Sequence, residues 1–161
     1  MGAGMSQELF LAVHALGLAI WLSISVINNC HALGGSTAAI GATMSMAPLK
    51  QQPAIDTPLL SRAIDSPAVH RLALLWVLAL QTVAAAACWA GCWQLLAVGD
   101  LVTARPWLNL ALSTFAAFLL SMHLGGLWFG YWIRQQSLQL THIALLVWVA
   151  AAFVVFNMAW A

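Results

Sequence analysis

The chain has 161 residues, of which 63% are hydrophobic and 6% are charged, and its formal net charge is +1. Soluble domains carry roughly 25% charged residues, so this composition excludes an ordinary globular protein. A net charge this small provides no basic surface field, which argues against nucleic acid as a partner. The length suits a single domain over residues 1–161.

Four long runs of the sequence contain no Asp, Glu, Lys or Arg: Leu9–Ile27, Leu72–Val98, Leu108–Trp132 and Ile143–Ala161. As a helix, a run of about 19 residues spans roughly 28 Å, close to the thickness of the hydrocarbon core of a bilayer. Backbone exposed to lipid must satisfy its own hydrogen bonds, and a helix does so within one segment. The sequence therefore predicts an all-α, multi-pass membrane protein.

The links between the later runs are short, which predicts antiparallel neighbours. Pro106 closes the first of these links and predicts the start of helix three, because proline favours the first turn of a helix. The longer loop at residues 31–66 is expected to carry short interfacial helices. We therefore expect an antiparallel four-helix bundle with transmembrane helices at about residues 9–27, 67–98, 106–132 and 141–161.

The long loop leads into a tandem nonapeptide, Ala54–Arg62 followed by Ala63–Arg71. Each copy places a capping residue, Thr57 or Ser66, directly before a proline, an arrangement typical of a helix N-terminus. The first copy predicts a short interfacial helix over Pro58–Ile64. The second marks the start of helix two.

Small residues recur at positions where backbones could approach each other. Gly126 and Gly130 form a GxxxG motif on predicted helix three, and Ala87 and Gly91 form a similar pair on helix two. Such pairs predict close helix packing, within the bundle or against another subunit. The small apolar stretch Gly34–Met46 is expected to lie in the membrane interface or to re-enter the bundle.

The basic residues leave the orientation open. One side of the bundle is expected to carry Arg105 alone. The other side carries the remaining basic residues, which are Lys50, Arg62, Arg71 and Arg134. The positive-inside rule then places loops one and three in the cytoplasm and both termini outside.

Three histidines and two methionines suggest a metal site at one face of the membrane. His31, His70 and His142 are expected near the ends of helices on the side of loop one, which also contains Met44 and Met46. Imidazole and thioether groups form a soft ligand set suited to copper. The alternative is that these histidines cap helices and bond lipid headgroups, since their spacing matches no defined metal motif.

His14 and His123 lie inside predicted helices one and three and are the candidate cofactor-binding residues. A b-type haem held between two helices needs two histidines at matching depth. Helix four is expected to offer Phe156 at the depth of His14, and Trp148 at that of His123. His142 is expected about 10 Å nearer the surface from the rise per residue. This disfavours an intramolecular bis-histidine haem. A haem or quinone shared with a partner subunit stays open, and the alternative role of both histidines is hydrogen bonding between helices.

Groups that could carry catalysis or ion transport are sparse. No Asp, Glu, Lys or Arg lies within the four runs, which argues against proton-driven transport. Asp56, Asp65 and Asp100 occupy expected capping or turn positions, and no hydrolase constellation, phosphate loop or carboxylate pair is present. We expect no catalysis by this chain alone.

Several short segments resemble a bacterial family of predicted small integral membrane proteins of unknown function. The most specific is Arg62-Ala63-Ile64-Asp65-Ser66-Pro67-Ala68-Val69-His70, and the others are Ile27–Asn29, Met44–Met46, Cys88–Gly91 and Gly125–Phe129. The resemblance implies four helices in the inner membrane, with the N-terminus inside. It also implies an acidic residue at the position of Gln81 in many members, which this chain lacks.

These features together predict a non-catalytic accessory or anchoring subunit of a bacterial inner-membrane complex, such as a respiratory or redox complex. Membrane lipids and other membrane subunits or further copies of the chain are the expected partners. No intrinsic cofactor is expected, although copper, or a haem or quinone shared with a partner, would fit the histidines. The alternative functions are a copper-type binding or cofactor-adjacent protein that uses the histidines and methionines, and a small transporter.

Overall fold

The computed structural model describes residues 3–158, with side chains from residue 6 onward. Every regular element in this range is helical. Six α-helices follow one another along the chain: α1 (Ala3–His31), α2 (Leu33–Met44), α3 (Ala47–Lys50), α4 (Pro67–Trp93), α5 (Leu101–Trp128) and α6 (Gln136–Asn157). A π-helical segment, Gln94–Val98, continues α4. Counted with it, four helices of the described chain are long and apolar enough to cross a membrane: Ser6–His31, Pro67–Val98, Leu101–Trp128 and Gln136–Asn157. The predicted all-α membrane fold is confirmed.

Helix α4 lies at the centre of the bundle, where it packs against α1, α2 and α5, while α6 packs against α5. Phe115 and Phe156 are fully buried in a core made mainly of leucine and alanine. At Gly91 an added Cβ would come within 2.7 Å of the Leu108 side chain. The small-residue pair on helix two therefore serves close packing inside the bundle, as predicted.

The connection between α1 and α4, expected to be a loop with short interfacial helices, is largely helical. Helix α2 packs against α4, and a 3-10 helix covers Pro58–Arg62. The Thr57 hydroxyl caps that short helix by accepting from the Leu59 N–H at 3.4 Å. Helix α4 begins at Pro67, yet the Ser66 side chain makes no capping bond. The backbone carbonyl of Ser66 accepts from the N–H of His70.

Helix α5 begins five residues earlier than the sequence indicated. Asp100 caps it by accepting from the Val102 N–H at 2.8 Å, so the first turn starts at Leu101. Pro106 then lies inside the helix, where its missing N–H leaves the Val102 carbonyl without its usual helical donor. A carboxylate cap at the N-terminus outweighs the preference of proline for the first turn.

Both ends of the final link also differ from the expectation. Helix α5 ends at Trp128 rather than at Trp132, and α6 begins at Gln136 rather than at residue 141. Residues 159–161 of the expected fourth helix lie outside the described residues. Apolar side chains continue past the end of α5, so the boundary of the apolar run and the boundary of the helix do not coincide. This shift determines which side chains meet at this end of the bundle.

Candidate functional site

The turn after α5 folds the chain back onto the helix that it has just left. Gly130 adopts a left-handed conformation with a φ of 67°, which glycine tolerates without steric cost. The ring of Tyr131 then lies against Gly126, where an added Cβ would approach a ring carbon to 2.6 Å. The GxxxG motif, predicted to pack helices together, therefore makes room for a returning tyrosine.

Tyr131 lies between two histidines. Its hydroxyl is 2.6 Å from Nδ1 of His123 on α5 and 3.5 Å from Nδ1 of His142 on α6. The two imidazole centroids are 6.4 Å apart, and the rings of Tyr131 and His142 are stacked. Tyr131 and His142 are 2% and 5% exposed, so this group is largely buried.

The proximity of the two histidines corrects the depth expected for His142. The ends of the apolar runs predict that His142 lies about 10 Å nearer the surface than His123. In the structure His123 lies five residues before the end of α5, and His142 lies six residues after the start of α6. Because both helices meet at the same turn, nearly equal distances from it bring the two histidines to the same level.

Burial raises the pKa of the Tyr131 phenol above its ordinary value. The removal of water from around a phenolate disfavours the charged form. The hydroxyl therefore keeps its proton at physiological pH and can donate one hydrogen bond while it accepts another.

A partly open cavity of about 280 Å³ adjoins this group. Residues of α2, α4, α5 and α6 and of the turn after α5 form its walls, which are almost entirely apolar. Among the described residues, no Asp, Glu, Lys or Arg lines it. The lining residues whose side chains carry N or O atoms are Thr43, Trp76, Ser121, Tyr131 and His142.

Two of these polar groups already bond each other. The indole N–H of Trp76 donates to the Ser121 hydroxyl at 3.2 Å, and that hydroxyl donates to the Ala117 carbonyl at 2.8 Å. Thr43 donates to the Gln135 side chain at 3.3 Å. The structure pairs His142 Nδ1 with Tyr131 and gives its Nε2 no partner among the described residues.

The remaining residues of the predicted metal site occupy separate settings. His70 Nε2 lies 2.7 Å from the Ile64 carbonyl, and its ring fills the space above Gly41. His31 is exposed at the end of α1. Within the described part of the chain, no group of three or more His, Cys, Asp or Glu residues is placed to hold a metal ion. His31, His70 and His142 are therefore not brought together.

The two methionines of the same prediction also separate. Met46 is 1% exposed and packs with Leu49 and Phe129 in a small second core beneath the turn. Met44 lines the cavity together with His142. One predicted methionine thus belongs to the cavity and the other to the packing that supports it.

His14 lies among aromatic rings. Its imidazole centroid is 5.2 Å from Phe10, 5.9 Å from Trp148 and 6.3 Å from Phe156. Phe156, the residue expected at the depth of His14, is thus one of its ring contacts. The expected match of Trp148 with His123 is wrong, because Trp148 packs against the ring of His14 instead. His14 and His123 therefore lie in different parts of the bundle.

Sequence reasoning missed Tyr131, the only tyrosine in the chain. It stands inside the third apolar run, for which the sequence predicts a continuous helix. The signal that could have located the turn is Gly130 directly before it, since glycine is strongly enriched just after the end of a helix.

Comparison with known proteins supports the membrane assignment. No curated protein and no solved structure matches the chain. One family model matches residues 7–159, from the first turns of α1 to beyond the end of α6. The match covers nearly the whole chain and confirms the resemblance found in the sequence. The chain therefore belongs to the family described as predicted small integral membrane protein (DUF2165).

Proposed function

We propose that this protein is a non-catalytic accessory subunit of an inner-membrane complex and that it binds a small lipophilic molecule at one end of its bundle. The observation that carries the proposal is the apolar cavity of about 280 Å³ bordered by Tyr131 and His142. Ligand sites are typically concave, apolar and furnished with a few convergent polar groups, which is the character of this cavity.

The size of the cavity restricts what it holds. Pockets for drug-sized ligands occupy about 300–1,000 Å³, so this one lies near the lower limit. It suits a single ring system or a short length of chain. A larger molecule would leave its remaining part outside the cavity, against lipid or against a neighbouring subunit.

The accessory role is supported by how other polar side chains in the helices are used. Asn29 donates to the buried Gln81 at 2.9 Å, and Asn109 and Asn157 exchange two hydrogen bonds. These pairs join α1 to α4 and α5 to α6. These amides are occupied in helix packing, whereas the Tyr131 end combines polar side chains with a cavity.

A cavity-filling variant tests the binding function. Gly125 lines the cavity, and a Cβ built on it meets no atom within 4 Å, so Gly125→Leu should fill the cavity without disturbing the helix. Gly17→Leu is the matched control, because Gly17 also lies in a long helix with open space around it and does not line the cavity.

The tagged protein would be purified from native membranes in mild detergent, and its protein partners and organic extract analysed by mass spectrometry. We expect stoichiometric membrane subunits with both variants. We also expect about one lipophilic molecule per chain, retained by Gly17→Leu and lost from Gly125→Leu. Recovery of the chain alone, with identical extracts from both variants, would refute the proposal.

A further inference from the structure

The Tyr131 hydroxyl is shared between two imidazoles that compete for one proton. With a single hydrogen, it can donate to His123 or to His142, and it must accept from the other. The three side chains therefore have two neutral arrangements with the same number of protons. These arrangements differ in the direction of every hydrogen bond.

The direction of these hydrogen bonds determines whether Nε2 of His142 is a donor or an acceptor. If Tyr131 donates to Nδ1 of His142, the imidazole carries its proton on Nε2 and presents a donor there. If Nδ1 of His142 donates to Tyr131, Nε2 presents a lone pair. Since His142 lines the cavity and its Nε2 has no partner among the described residues, a bound molecule would meet a donor or an acceptor as required.

The cavity wall selects against charged molecules. It contains no Lys or Arg to pair with a phosphate or a carboxylate, and no Asp or Glu to pair with an amine. Burial of an unpaired charge there would be costly. The ligand is therefore neutral.

The wall also favours a flat ring over a flexible chain. Trp76, Phe129 and Tyr131 provide aromatic surface, and Met44 and Met122 provide thioethers that pack favourably against aromatic rings. A ring with oxygen substituents would use both the aromatic surface and His142.

We propose that the cavity binds the ring of a quinone-class molecule, with a ring oxygen hydrogen-bonded to Nε2 of His142. The inference rests on the proposed binding function and names its ligand. A quinone carbonyl accepts from Nε2–H in one arrangement of the three side chains, and a quinol hydroxyl donates to Nε2 in the other. Tyr131 and His123 are positioning residues, because they act on the ligand through His142.

The test uses decylubiquinone as the probe and decylbenzene as a ring of similar shape without oxygens. The purified protein in detergent is titrated with decylubiquinone, and binding is followed by quenching of tryptophan fluorescence, to which Trp76 in the cavity wall contributes. Decylbenzene does not quench tryptophan, so its affinity is measured by competition against the bound quinone. We expect decylubiquinone to bind about tenfold more tightly than decylbenzene, as one hydrogen bond in an apolar site allows. Gly125→Leu should abolish this binding, and Gly17→Leu should preserve it.

Infrared spectroscopy of the bound quinone distinguishes binding through a hydrogen bond from binding through shape alone. A hydrogen-bonded carbonyl stretches at lower frequency, so the wild-type complex should show one shifted carbonyl band. His142→Phe should remove the shift, and Tyr131→Phe should reduce it while the circular dichroism spectrum stays unchanged. The exposed His31→Gln serves as the control and should keep the shift.

The outcomes distinguish the inference from the function on which it rests. Equal affinity for both probes, with both blocked by Gly125→Leu, would overturn the quinone assignment and leave a lipophile-binding pocket. Binding that Gly125→Leu does not affect would overturn both. A carbonyl shift that survives His142→Phe would overturn the assigned role of His142.

Discussion

The two ends of the α5–α6 pair use polar side chains in opposite ways. At one end, Arg105 donates to the carbonyls of Phe156 and Met158, both at 2.9 Å, and Asn109 and Asn157 bond each other twice. At the other end, a single hydroxyl is shared between two imidazoles beside a cavity. The first end has its hydrogen bonds directed within the chain. At the second end, Nε2 of His142 has no partner among the described residues and could form a hydrogen bond with a ligand.

The comparison shows how the same helices can be fixed at one end and receptive at the other. Reciprocal amide bonds between helices in a membrane contribute to packing because the unpaired groups would face hydrocarbon. His142 is bonded through Nδ1, and under the proposed function its Nε2 is available to a ligand. Substitutions at the Asn109–Asn157 end should therefore affect stability alone, whereas substitutions at the Tyr131 end should affect stability, binding or both.

The largest expected effect comes from closing the space that Tyr131 occupies. Gly126→Ala would place a Cβ 2.6 Å from the Tyr131 ring, and overpacking of this kind costs about 1–3 kcal/mol. We expect a lower free energy of unfolding in detergent. Gly125→Ala is the control, since its Cβ has open space, and it should be neutral or stabilising by up to about 1 kcal/mol. Equal effects of the two variants would contradict the packing described for Tyr131.

The paired end should respond in stability alone. Asn157→Leu removes both bonds to Asn109, and interhelical bonds in membranes contribute about 0.6–1.7 kcal/mol. We expect a loss of unfolding free energy in that range, measured by denaturant titration, and unchanged binding of decylubiquinone. The double variant with Asn109→Leu should recover part of the loss, because it leaves no unpaired amide. Weaker quinone binding in Asn157→Leu would show that the two ends are coupled.

The smallest effect is a pH dependence of the receptive end. Because burial raises the pKa of Tyr131 above its ordinary value of 10.0, the folded protein holds the phenolic proton more tightly than the unfolded chain does. This stabilisation is complete below about pH 10 and is lost as the pH rises through the folded pKa. The thermal midpoint of the wild type should therefore fall more steeply between pH 9 and pH 11 than that of Tyr131→Phe. Parallel curves would refute the raised pKa.

The four membrane helices could be predicted because physics leaves few alternatives. A charge-free run of that length is long enough to cross the bilayer, and lipid-exposed backbone must be helical. The start of α4 at Pro67 followed from proline geometry in the same way. These inferences need only local sequence.

The candidate site could be predicted only in part, because it depends on where helices end rather than on where apolar runs end. Residues 129–132 are as apolar as the helix before them, yet they form the turn that places Tyr131 against Gly126. His123 and His142 were both identified as site residues, but without that turn they were assigned different depths. The cavity also depends on the packing of α2, which composition alone does not define.

Gly125 and Gly126 are adjacent, but the structure has space for a side chain only at position 125. This difference gives the family a marker that can be read from sequence. A side chain at position 126 would collide with Tyr131, whereas a side chain at position 125 would enter the cavity and collide with nothing. A family member with a bulky residue at position 125 would therefore keep the fold and lose the cavity. Under the proposed function, the residue at that single position should divide members that keep the cavity from members that lack it.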